Sequence, residues 1–172
     1  MVRYAFHHSG TGRVLVHRLK YHGLSSAADI LSAAMAPLVP PGAAVIVPVP
    51  RSPARRVAYG VDPAKELARR MGRTLDIPVV AALTPPLWWR RHAGRTVSQR
   101  SAPAFSARRP VAGAIVLVDD VVTSGATLRG AAAAFPGQIL AAVLATSPGM
   151  MVLFKAPTAS RRLRDSTAPR HK

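Results

Sequence analysis

The sequence predicts an α/β domain, a mostly parallel sheet flanked by helices on both faces. Three observations predict it. Short β-favouring apolar runs recur near residues 43, 79, 115 and 139, and stretches with helical spacing separate them. The run Ile115–Val118 is apolar at every position instead of alternating, as a strand buried on both faces requires. After it come Asp119 and Asp120, the small-residue turn Thr123–Thr127 and an alanine-rich run, Leu128–Phe135, suited to a helix.

Bulk composition bounds the rest. A chain of 172 residues is one domain with room for a proper core. It has no cysteine, which excludes disulfides, thiolate metal sites and a cysteine nucleophile. No apolar segment approaches the length of a membrane span, and the N-terminus lacks a signal-peptide pattern, so a cytoplasmic protein with no membrane partner is expected. The net charge is +17, from 24 basic and seven acidic side chains. Such an excess permits polyanionic partners, nucleic acid or phosphorylated small molecules, and makes two adjacent acids informative.

In chain order, Val2–Phe6 reads as a short strand and Gly10-Thr11-Gly12 as a turn. Arg13–Tyr21 has the spacing of a short amphipathic helix. Leu24–Leu38 is a longer one, with Leu24, Ala27, Ala28, Leu31 and Met35 on one face, Ser25 or Ser26 to cap it, and Pro40-Pro41-Gly42 to end it. His7, His8, His17 and His22 fall in this region without a carboxylate cluster, so they read as surface or capping residues rather than metal ligands.

Ala43–Val47 is the next strand. It empties into the proline-stiffened loop Pro48–Pro53, where Arg51 and Ser52 lie close to Arg55 and Arg56. Guanidinium groups in such a turn can clamp a pyrophosphate through bidentate forks; a solvated basic loop is the alternative. Asp62-Pro63 opens a helix, with an acid at the N-cap and proline in the first turn, that runs to about Met71 and stops at Gly72. Val79–Leu83 reads as a strand.

Residues 84–110 are the least regular, and a loop of that length is either functional or disordered. Trp88, Trp89, Arg90 and Arg95 interleave aromatic and basic groups there, as single-stranded nucleic-acid sites do; the tryptophans can equally pin the segment to the core. Ile139–Thr146 is a further strand and Met151–Phe154 a short last one. From Lys155 the composition turns to Arg, Ser, Thr, Ala and Pro, so 155–172 reads as a disordered basic tail and 1–154 as the domain.

The chemistry concentrates at residues 115–127. A small-residue turn at a helix N-terminus lets backbone amides converge where the helix dipole favours negative charge. Gly125 can take a positive φ, and Thr123, Ser124 and Thr127 add hydroxyl donors around Ala126, which makes a phosphate cradle. Ionised Asp119 and Asp120 accept hydrogen bonds only, and so suit a diol or a metal ion. A phosphate beside a diol describes a ribose 5-phosphate. An acid pair that caps a helix, or holds Mg²⁺ beside a nucleotide, is the alternative.

The string VLVDDVVTSGAT resembles the signature with which type I phosphoribosyltransferases bind 5-phosphoribosyl 1-pyrophosphate (PRPP). The resemblance implies that Asp119 and Asp120 hold the ribose hydroxyls and serve catalysis. It also implies that residues 123–127 wrap the 5-phosphate and that Mg²⁺ enters with PRPP, near Asp119 and Asp120. Val47-Pro48-Val49-Pro50, the basic residues after it and Lys20 before Gly23 are similar to the ComF-type branch, whose first loop faces the pyrophosphate. In that branch residues 84–110 correspond to a variable hood over the site, with Thr96 to Gln99 resembling its "T..Q" pattern. The chain departs from the branch in having no cysteine-rich zinc ribbon, and in carrying Ala58-Tyr59-Gly60-Val61-Asp62 where an Arg-Gly-Phe-Asn-Gln segment is usual.

The resemblance thus implies a phosphoribosyltransferase-like fold that binds PRPP or ribose 5-phosphate with Mg²⁺ and transfers phosphoribosyl to an unspecified base, releasing pyrophosphate. The branch is linked to competence, the uptake of single-stranded DNA, with a helicase partner. A non-catalytic adaptor for nucleic acid or helicase on the same fold is therefore the alternative, and a nucleotide-sensing regulator a third. The acceptor, the oligomeric state and the pathway have no signal in the sequence.

Overall fold

A computed structural model describes residues 1–51, 60–85 and 104–148. The strands are β1 (Val2–His7), β2 (Val45–Pro48), β3 (Leu83–Thr84), β4 (Ser106–Ala107), β5 (Ile115–Val121) and β6 (Ile139–Ser147). The helices are α1 (Gly10–His22), α2 (Ser25–Met35), α3 (Pro63–Leu75) and α4 (Ala126–Ala133). Four strands form one sheet in the order β1-β6-β5-β2, every neighbouring pair parallel. All four C-terminal ends therefore share one edge. β5 and β6 are interior, which is why Ile115–Val118 and Ala141–Ala145 are buried without alternation.

Each face of the sheet has its own apolar core. Val116, Val118 and Val143 meet Leu15, Val16 and Leu19 of α1, Leu31 and Met35 of α2, and Leu67 and Met71 of α3. Ile115, Leu117 and Leu144 meet Leu128, Ala131 and Phe135 on the α4 side, with Leu83 and Phe105 from the β3–β4 hairpin. Both faces of the sheet are thus shut off from water. No helix among the described residues is long and apolar enough to cross a membrane.

Several elements differ from the sequence expectation, each for a local reason. Gly10-Thr11-Gly12 is the first turn of α1, not a separate turn. A Cβ on Gly12 would stand 2.5 Å from the His7 carbonyl oxygen and 2.8 Å from Phe6 Cβ, so the glycine serves close approach of helix to strand. The helix expected over 24–38 is α2 followed by a 3₁₀ turn, Ala36–Leu38, with Pro37 inside it. Neither serine caps α2: Leu24 holds the N-cap position, 41% exposed, and not on the buried face. α3 begins as expected, Asp62 Oδ1 accepting from the Lys65 amide at 3.4 Å, but it runs past Gly72 to Leu75. Gly72 lies against Val79 and the Ile77 carbonyl, and Asp76 closes the helix at φ 54°, a conformation Asp tolerates.

Val79–Leu83 does not form one strand. Val79 bridges Ile46 on the outer side of β2, while Leu83 pairs antiparallel with Ala107. The described ends of the expected hood are thereby joined at β3–β4. Residues 86–103 lie outside the described residues, and so do Met151–Phe154 and the tail.

Candidate functional site

β5 delivers both acids to the shared strand edge, on opposite faces. Ile115 and Leu117 face the α4 side, and Asp119 continues that row; Val116 and Val118 face α1 to α3, and Asp120 continues that one. Asp119 is half-buried, and its Oδ1 accepts from the Asp120 amide at 2.8 Å. Burial pushes the Asp119 carboxyl well above the usual carboxylate range, and the Asp120 charge adds to this; the Asp120 amide and Lys20 oppose both. A cation or a donor-rich ligand beside Asp119 would favour its ionised form.

Asp120 is 8% exposed and turned toward α1. Its Oδ2 lies 3.1 Å from Lys20 Nζ and 3.6 Å from Arg51 Nη2. No hydrogen bond of good geometry reaches that oxygen among the described residues, although Lys20 is within range, so the two cations hold it by charge alone. Arg51 also donates through Nη1 to the Val61 carbonyl at 3.4 Å. The charges continue to Asp62, whose carboxyl burial pushes up while the Lys65 and Arg51 amides and the Arg51 charge pull it down. Lys20, Asp120, Arg51 and Asp62 thus alternate in sign at the ends of α1, β5 and β2 and the start of α3.

α1 makes this possible by crossing the strand edge. Its start packs on Phe6 and Thr146, and a Cβ on Gly23, just beyond its end, would stand 3.4 Å from a Val61 methyl. Lys20, in its last turn, consequently meets the end of β5. The sequence marks Lys20 only through the Lys-before-Gly likeness, and nothing local in it connects α1 with Asp120.

The loop after β5 leads into α4 as expected. Gly125 is the N-cap at φ 69°, where a side chain would be strained. Ser124 Oγ accepts from the Ala126 amide at 3.4 Å, and the Ser124 carbonyl accepts from Arg129 Nη1 at 3.1 Å. Thr123 is exposed; Ser124 and Thr127 are half-buried. The first amides of α4 have no intrahelical acceptor and face this end of the helix. The structure thus brings Asp119, Asp120, residues 123–127 and Arg51 to one strand edge.

Ser52, Arg55, Arg56, Trp88, Trp89, Arg90 and Arg95 lie outside the described residues. Among the described residues no three His, Asp or Glu side chains form a metal-holding group. Asp119 and Asp120, carried on opposite faces of β5, form no dedicated cage; a Mg²⁺ that brings most of its ligands with a phosphate ester would need no more than one of these carboxylates.

Two further side chains come to the edge that the sequence did not mark for the site: His8, expected there as a surface or capping residue, and Thr146. His8 Nδ1 lies 2.9 Å from Thr146 Oγ1, and Thr146 Oγ1 donates to the Asp120 carbonyl at 3.4 Å. Burial and the charges of Lys20 and Arg13 hold the His8 imidazole below its ordinary value, against Asp120. Compared with known proteins, the chain matches no family model and no curated sequence.

Proposed function

We propose that this chain is a phosphoribosyltransferase-like protein of the ComF type, binding PRPP or ribose 5-phosphate with Mg²⁺ at the C-terminal edge of its parallel sheet. One observation carries the reading: a carboxylate-bearing strand end and a helix N-terminus, whose first-turn amides lack intrahelical acceptors, share one edge, joined by a loop whose N-cap is Gly125 at φ 69°. The 5-phosphate sits on residues 123–127. The ribose hydroxyls donate to Asp119 and Asp120. The pyrophosphate takes the β2 side, where Arg51 is available once it is drawn from Asp120.

Mg²⁺ brought by the substrate supplies charge neutralisation for the departing pyrophosphate. The chain's own part is electrostatic. Loss of pyrophosphate leaves positive charge at the sugar C1, and carboxylates at the ribose stabilise it. Lys20 and Arg51 hold Asp120 as a charged, oriented group before the ligand arrives.

The test is thermal unfolding with Mg²⁺ and PRPP. A ligand bound only by the folded chain at a hundred times its Kd adds about 2.7 kcal/mol, a shift of several degrees. The double variant Asp119→Asn, Asp120→Asn should fold and lose the shift. A wild-type chain that shows no shift, or a double variant that keeps it, removes the proposal.

A further inference from the structure

The end of β6 and the start of the β1–α1 connection hold a polar arrangement that ribose and phosphate binding do not use. Thr146 is fully buried, and its hydroxyl proton goes to the Asp120 carbonyl. A hydroxyl has one proton, so the atom Thr146 turns to His8 is an oxygen lone pair. With the Thr146 proton on that carbonyl, His8 Nδ1 supplies the hydrogen of their 2.9 Å contact. In this Nδ1–H tautomer Nε2 keeps its lone pair, with no hydrogen bond to it among the described residues. The charged groups facing the ring are Lys20 and Arg13 from α1 and Asp120 from β5. Burial and the two cations push the imidazole below its ordinary value, against the acid.

The sheet order gives this lone pair a direction. β5 lies between β2 and β6, and β6 between β5 and β1. With the ribose at the end of β5 and the pyrophosphate toward β2, a nucleophile attacking C1 opposite the leaving group approaches from the β6–β1 side. That is where His8 and Thr146 stand.

We propose that His8 is the proton acceptor for the base that attacks C1, whose ring N–H points at His8 Nε2. This rests on the PRPP reading above. The heterocycle nitrogen forms the bond to C1. The C1–oxygen bond breaks with its electron pair leaving on pyrophosphate, and the N–H proton passes to Nε2. No further reactant is required.

The test uses the full chain and His8→Asn, whose side-chain amide can replace the Nδ1–H donor to Thr146 but offers no basic atom at Nε2. Pyrophosphate release from Mg·PRPP is followed against pH with the common purine and pyrimidine bases as acceptors. A loss of about a hundredfold or more is expected, with the acid limb of the pH profile gone and the Mg·PRPP melting shift retained. Long-range ¹H–¹⁵N correlation of the wild-type histidines should show His8 as the Nδ1–H tautomer, its signal moving on addition of Mg·PRPP with a base. An Nε2–H tautomer overturns the proposal. So does an unchanged rate and pH profile in His8→Asn, or a His8 signal indifferent to base in a chain that binds Mg·PRPP. Absence of any Mg·PRPP melting shift in the wild type strikes the underlying reading instead, and the two failures are thereby told apart.

Discussion

Lys20 Nζ and Asp120 Oδ2 lie 3.1 Å apart, and this contact ties the last turn of α1 to the end of β5. The side chains are 22% and 11% exposed, so the pair is largely out of water. Removing one partner strands the other's charge, which costs more than removing both. Asp120→Asn and Lys20→Met should each destabilise the chain, and the double variant should lose less than the sum. A coupling energy of about 1–3 kcal/mol is expected from urea unfolding of the four proteins. Strict additivity would show that the contact has no energetic meaning.

Asp119 should respond to pH in the opposite sense to an ordinary ion-paired acid. Its folded pKa is raised, so the native chain keeps a proton that the unfolded chain releases. The stability it contributes is fully present below the unfolded carboxylate value, about pH 4, and is lost as pH rises through the folded value. Asp119→Asn keeps an oxygen to accept from the Asp120 amide and removes the charge. The variant should therefore be more stable than wild type at neutral pH, the gap closing toward acid. Denaturation midpoints measured across pH check this, and a variant weaker at pH 7 would contradict it.

Gly12→Ala should act at a distance. The added Cβ meets the His7 carbonyl and Phe6, so α1 must lift from the sheet at its start. Overpacking of this kind costs about 1–3 kcal/mol. Lys20 rides on the same helix, and the Mg·PRPP melting shift should shrink along with the stability. A variant as stable as wild type, with the shift intact, would mean that the packing of α1 does not position Lys20.

Thr127→Val removes one hydroxyl from the loop at the head of α4 while keeping a similar volume. A single hydrogen bond to a charged phosphate is worth about 1.5–3 kcal/mol, so affinity for ribose 5-phosphate should fall at least tenfold. Stability should change little, because Thr127 is half-buried. Calorimetric titration with ribose 5-phosphate measures the difference, and equal affinities would place the phosphate elsewhere.

The central strand was readable because Ile115–Val118 is apolar throughout and only a strand covered on both sides tolerates that. The start of α3 was readable because Asp62 and Pro63 act locally. Val79–Leu83 misled because an apolar run does not say with whom it pairs: Val79 serves β2, and Leu83 the hairpin. Gly10–Gly12 misled because glycine signals a turn and close packing alike. At the candidate site, the Asp pair and the loop announced themselves by composition. The contact of Lys20 with Asp120 and that of His8 with Thr146 did not, since each joins segments far apart in the chain and depends on α1 crossing the strand edge or on β1 lying beside β6.

The outer side of β2 carries one more consequence. The Ile46 amide donates to the Pro78 carbonyl and the Ile46 carbonyl accepts from the Val80 amide, both at 2.9 Å, so a single rung of irregular chain fastens that border of the sheet. Pro48 closes the same strand with a residue that has no amide hydrogen to offer. Among the described residues a foreign strand finds no free ladder there, and the four-stranded sheet offers extension at its opposite border, along Val2–His7.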